Sequence, residues 1–245
     1  MMDPSGIVSG QIDLTQVRGF LFDVDGTLSD TDDHLVERIA RRLHPLAWLW
    51  NDRDPRRFAR WFVMTAESPA NALYSLADRL HLDAHLAKLY DWYSRRWHEK
   101  TSANARFWLV PGVKAMLDQM KGRYPMGVVS ARDRKTTLNF LEHFNLMPYF
   151  DVVVTAQTCQ HTKPFPDPVI YAAQALGLDA KQCVMVGDTI VDVVAGRSAG
   201  AQTMAVLCGF GTHRELARAG ADLILSSTAE ITQLFDRSER ITQEA

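Results

Sequence analysis

The run Phe20-Leu21-Phe22-Asp23-Val24-Asp25-Gly26-Thr27 decides how the rest of the chain reads. Three apolar residues lead, with no polar break, into two carboxylates one residue apart. A short apolar run that does not alternate with polar residues is how a strand buried on both faces reads, and such strands belong to parallel sheets. On extended backbone alternate side chains share a face, so Asp23 and Asp25 can point into one site beyond the strand's carboxyl end. Carboxylates in such a place must be paired, bind a metal or shift their pKa. Gly26 permits a sharp exit from the strand. The simpler reading is a polar turn with Asp25 as a cap.

Similar runs recur at residues 126–129, 152–154, 184–186, 204–207 and 223–225. Helical patterns lie between them. Val113, Met116, Leu117 and Met120 share one helical face, as do Leu138, Leu141 and Phe144. Asp167-Pro168 reads as an N-cap and first helical residue, with Gly177 as the stop. Thr212 and Glu215 have capping-box spacing. Strand-helix repetition of this kind predicts an α/β fold, a doubly wound, Rossmann-like parallel sheet with helices on both sides. Residues 29–109 interrupt it with helical periodicity alone and hold all six tryptophans. The expected organisation is an N-terminal tail (1–18), a core (19–28 and 110–236), an inserted all-α helical cap (29–109) and a C-terminal tail (237–245).

A second acidic cluster follows the fourth of these strands, in Val186-Gly187-Asp188-Thr189 with Asp192 one turn on. In open parallel sheets ligands bind beyond the carboxyl ends of the strands, at the switch point. Asp23, Asp25, Asp188 and Asp192 would converge there, although Asp188 alone could be a helix N-cap. Such an oxygen-only set suits Mg²⁺. The second strand ends in Val129-Ser130-Ala131-Arg132, where a hydroxyl and backbone N–H groups can cradle phosphate oxygens. Lys163 precedes the proline-framed Pro164-Phe165-Pro166-Asp167-Pro168, which fixes the direction of its stem and suits a point charge for phosphate.

Taken in order, Asp23-x-Asp25-Gly26-Thr27, Ser130, Lys163 and Gly187-Asp188-x-x-x-Asp192 resemble the four motifs of the haloacid dehalogenase superfamily of phosphatases. The stretch from Gly209-Phe210-Gly211 to Ala219-Gly220-Ala221-Asp222 is similar to its phosphoglycolate phosphatase branch. That resemblance implies a small phosphate monoester as substrate, phosphoglycolate- or sugar-phosphate-like, and Mg²⁺ as cofactor. It implies Asp23 as nucleophile, Asp25 as acid and then base, and Lys163 as a catalytic and phosphate-binding cation. Thr27, Ser130 and the Ala131 backbone would also bind the phosphoryl group. The metal would sit on Asp23, the Asp25 carbonyl and Asp188, with Asp192 holding metal-bound water or Lys163. Ala131 departs from the branch's Asn, and Cys208 stands where an aromatic is expected.

Asp25 argues against a dehalogenase or a phosphonate hydrolase, which lack that second Asp. A mutase of the β-phosphoglucomutase type shares all four motifs but carries a cap His at the position of Leu35; His34 is one residue off. A catalytically silent binding protein on the same fold is the third reading. Arg53, Arg56, Arg57 and Arg60 read as a solvated helix face, and the tryptophans as cap core. A net charge of -2 gives no polycationic surface for nucleic acid. No apolar run approaches the ~20 residues of a membrane helix. Three scattered cysteines and no recognisable signal peptide point to the cytoplasm.

Overall fold

The structure, a computed structural model, describes residues 7–10, 12–30 and 108–234. The chain divides into two compact units, Met1–Ser29 with Arg106–Ala245, and Asp30–Ala105. The expected helical cap, with His34, Leu35, the arginine run and five of the six tryptophans, lies outside the described residues.

The apolar runs become strands. They are β1 (Ile7–Gly10), β2 (Gly19–Phe22), β3 (Met126–Val129), β4 (Val152–Val154), β5 (Cys183–Gly187), β6 (Gln202–Val206) and β7 (Leu223–Leu225), and they form one sheet in the order β1-β7-β6-β5-β2-β3-β4. Strands β2 to β7 pair in parallel; β1 runs antiparallel to β7 at the edge. No strand is expected from the sequence before residue 19. Ile7-Val8-Ser9-Gly10 has too short an apolar run to stand out, and an edge strand need only pair on one side.

The alternation of side chains divides the core. Phe20, Phe22, Val184 and Val186 face one side, against Val113, Met116 and Leu117 of α1 (Val113–Met120) and Phe140 and Leu141 of α2 (Arg134–His143). Leu21, Cys183 and Met185 face the other, with Val169, Ala172 and Ala173 of α3 (Asp167–Ala175). Val193 of α4 (Ile190–Ser198) and Leu216 of α5 (His213–Ala219) complete that side against Ala205 and Ile224. Both faces of the central strands are therefore dry, which is why they read as unbroken apolar runs.

Two local expectations shift. Helix α2 buries Thr136, Thr137, Phe140 and Leu141 rather than a face led by Leu138. The two threonines tolerate burial because their hydroxyls bond the Asp133 carboxylate and carbonyl. Helix α3 begins at Asp167 itself, whose carboxylate meets His161 Nδ1 at 3.3 Å instead of capping the helix. Gly177, at φ 73°, follows the helix end as expected. The Thr212–Glu215 capping box is formed.

The chain leaves β2 towards β3 on one side and reaches β5, β6 and β7 on the other. The switch point thus falls at β2, and the carboxyl ends of β2, β3 and β5 face one region.

Candidate active site

Strand register sets the site. Phe22 pairs with Val186 of β5 and Val128 of β3, and the Asp23 N–H donates to the Val186 carbonyl at 2.9 Å. Asp23 therefore lies beside Gly187, one residue from Asp188. Gly187 has no room for a side chain: a Cβ there would collide with the Asp192 carboxylate.

Lys163 Nζ donates to Asp23 Oδ1 and to Asp192 Oδ1, each at 2.6 Å. All three side chains are buried. Asp192 is itself fixed: its Oδ2 accepts the Thr189 N–H at 3.0 Å and the Thr189 hydroxyl at 2.6 Å, in the capping box that starts α4. Thr189, not Asp188, is the N-cap of α4. Asp188 is fully buried, and its Oδ2 accepts the Phe210 N–H at 2.7 Å. Two glycines press against it. A Cβ on Gly26, which sits at φ 70°, or on Gly209 would meet the Asp188 carboxylate.

Thr27 is buried and donates to Asp188 Oδ1 at 3.4 Å, while its carbonyl accepts the Thr228 hydroxyl at 2.7 Å. Ser130 is buried at the end of β3, and its Oγ accepts the Arg132 N–H at 3.1 Å. Ala131 follows, half-buried. Cys208, in the position expected to be aromatic, donates its thiol to the Gly26 carbonyl at 3.3 Å, and burial pushes its pKa up.

Electrostatics follow from this burial. Desolvation pushes the Asp23 carboxyl up to about 7; Lys163 opposes the shift, and the charges of Asp192 and Asp25 reinforce it. The Lys163 ammonium is desolvated too, but Asp192 and Asp23 outweigh that and raise its pKa, so it stays charged.

Arg132 is a functional residue that the motifs alone do not single out. Its guanidinium grips Asp25 with two bonds, Nε to Oδ2 at 2.5 Å and Nη2 to Oδ1. The available signal was its spacing, two residues after Ser130, which puts it on the turn that faces the Asp25 turn across neighbouring strands.

A divalent cation fits the donor chemistry. Asp23, Asp188 and Asp192 can each offer a carboxylate oxygen within 4.8 Å of the others. With every group ionised, the six side chains Asp23, Asp25, Asp188, Asp192, Lys163 and Arg132 would carry two more negative than positive charges, which one Mg²⁺ would balance. Asp192 already serves Lys163 and Thr189 with its two oxygens, so Asp23 and Asp188 are the better placed ligands. The Asp25 carboxylate is turned to Arg132, which leaves its backbone carbonyl as the group to offer.

Residues 20–206 match the haloacid dehalogenase-like hydrolase family. That is more than half of the chain, and the chain belongs to this family of enzymes. A phosphoglycolate phosphatase of Nitrosococcus oceani is 29% identical over 238 residues, covering 92% of this chain and 99% of that protein. Pyrophosphatase PpaX of Bacillus velezensis is 29% identical over 222 residues, covering 89% and 96%. A haloacid dehalogenase-like family hydrolase of Streptococcus pneumoniae has the same fold, with a TM-score of 0.59 at 21% identity over 91% of this chain and all of that one. Among the described residues, no helix is long and apolar enough to cross a membrane.

Proposed function

We propose that the chain is a Mg²⁺-dependent phosphatase that hydrolyses a small phosphate monoester through an aspartyl-phosphate on Asp23. The observation that carries the reading is the buried Lys163 held between Asp23 and Asp192, next to Asp188. The names of the curated relatives, a phosphoglycolate phosphatase and a pyrophosphatase, support the phosphoryl group as the target.

Asp23 Oδ attacks phosphorus in line, forming the Asp–O–P bond as the ester P–O bond breaks. Asp25 gives its proton to the departing alcohol, then takes one from the water that cleaves the phosphoenzyme. Lys163 holds the Asp23 carboxylate in place and meets the phosphoryl oxygens with positive charge. The Ser130 hydroxyl and the Ala131 backbone N–H bind the same oxygens, and Thr27 braces Asp188. Bound Mg²⁺, held by Asp23, Asp188 and the Asp25 carbonyl, supplies neutralisation of the phosphoryl charge. The insert after Ser29 is the part of the chain left to distinguish one ester from another.

The test is turnover of an aryl phosphate with Mg²⁺ and with excess chelator, followed by a panel that includes phosphoglycolate, hexose phosphates and pyrophosphate. Hydrolysis that requires Mg²⁺ is the expected result. Undiminished turnover in chelator would refute the metal-dependent reading.

A further inference from the structure

Asp25 is the most exposed of the four carboxylates, its side chain 27% accessible. It immediately precedes Gly26, whose left-handed backbone turns the chain away from β2. Arg132 grips its carboxylate from the neighbouring strand end, with Nε on Oδ2 and Nη2 on Oδ1.

Arg132 is well placed to act as an anchor. It is 7% exposed, with its guanidinium carbon 6.0 Å from the centre of the Phe140 ring. Its N–H bonds the Ser130 hydroxyl and its carbonyl accepts the Ala156 N–H at 2.9 Å. A planar fork on a planar carboxylate fixes both position and ring-like orientation, which a lysine could not do. It takes one lone pair on each oxygen and leaves the others to face a reactant.

We propose that Arg132 is a positioning residue for the reaction, orienting the Asp25 carboxylate towards the leaving-group oxygen and the attacking water. The proposal rests on the phosphatase reading above. Asp25 still makes both proton transfers; Arg132 sets where its oxygens stand when the ester bond, and then the Asp23–phosphorus bond, breaks.

The test is a double-mutant cycle on Arg132→Met and Asp25→Asn, with kcat and KM measured on an alkyl phosphate and on p-nitrophenyl phosphate. An alkoxide is a poor leaving group and needs a well-aimed proton; p-nitrophenolate needs little. Arg132→Met should lower kcat on the alkyl ester by about 10²-fold, the scale of misplacing a catalytic group. KM should hardly move, and the loss of kcat/KM on p-nitrophenyl phosphate, which reports the leaving-group step without the shared water attack, should be smaller. In the Asp25→Asn background the second substitution should add little, because both remove one function. Arg132→Lys, which keeps the charge and one bond, should recover part of the loss and serves if the Met variant does not fold. Several outcomes would overturn the proposal: additive losses, a loss confined to KM, an equal loss of kcat/KM on both esters, or unchanged or raised kcat on the alkyl ester. A wild-type chain inert on every phosphate would instead overturn the phosphatase reading from which the proposal starts.

Discussion

Lys163 Nζ stands 2.6 Å from Asp23 Oδ1, with the ammonium 4% and the carboxylate 9% exposed. Asp192 grips the same ammonium from the other side. A cation buried between two carboxylates cannot be a solvated surface lysine. It compensates charges that burial alone would neutralise by protonation.

Replacing that lysine should therefore be costly twice over. Lys163→Met is expected to lower kcat/KM by at least about 10²-fold, the scale of one lost electrostatic contact in the transition state. It leaves Asp23 and Asp192 facing each other without their shared cation, so the metal-free protein should lose about 3–5 kcal/mol of stability. Steady-state kinetics and a thermal melt in chelator read the two effects. A loss of a few-fold with an unchanged melt would show that the buried pair is incidental.

Metal affinity should follow the protonation of Asp23. Its carboxyl is raised to about 7, mainly by desolvation, so the metal-free site holds a proton there below that pH. A carboxylate must be ionised to ligate, and binding therefore expels that proton. Apparent Mg²⁺ affinity should rise by up to about tenfold per pH unit below 7 and level off above it. Titration calorimetry in buffers of different ionisation enthalpy counts the released proton directly. Flat affinity between about pH 5 and 8, with no proton released, would contradict the assignment.

Gly209→Ala tests the packing around Asp188. The new Cβ would overlap the Asp188 carboxylate, which the Phe210 N–H also holds. The carboxylate must turn, and Mg²⁺ affinity should fall by about 10- to 100-fold, as for other groups that orient a ligand. The new Cβ would also stand 2.6 Å from the Asp188 Cβ, which cannot turn aside, so the metal-free protein should lose about 1–3 kcal/mol of stability as an overpacked site does. Unaltered Mg²⁺ affinity would remove Asp188 from the ligand set.

Much of this was legible in the sequence because buried parallel strands announce themselves. Phe20-Leu21-Phe22 and Val184-Met185-Val186 are apolar on both faces, and the acids that follow each are conspicuous for standing beside them. The ordered motifs then led to the family that residues 20–206 match. What stayed hidden depends on side-chain direction rather than on residue type. Asp25 reads as a second acid of the cluster, yet its carboxylate points to Arg132, a partner 107 residues away that no local pattern announces. Thr27 reads as a group for phosphate, but its hydroxyl points at Asp188. Strand β1 was hidden because an edge strand can be short and still be held by β7 alone.

The central claim is the covalent step at Asp23. The most direct measurement is to quench the enzyme with acid during turnover of a phosphate ester, reduce it with borohydride and sequence the peptide that starts at Gly19 by mass spectrometry. An acyl phosphate at Asp23 is reduced to homoserine, while ordinary carboxylates are untouched. The account predicts homoserine at position 23, and none at 25, in an amount that depends on substrate and Mg²⁺. It also predicts that Asp23→Asn gives neither the modified peptide nor turnover while melting normally. An enzyme that turns over fully and yields unmodified Asp23 at every quench time would contradict it, and would assign the attack to water.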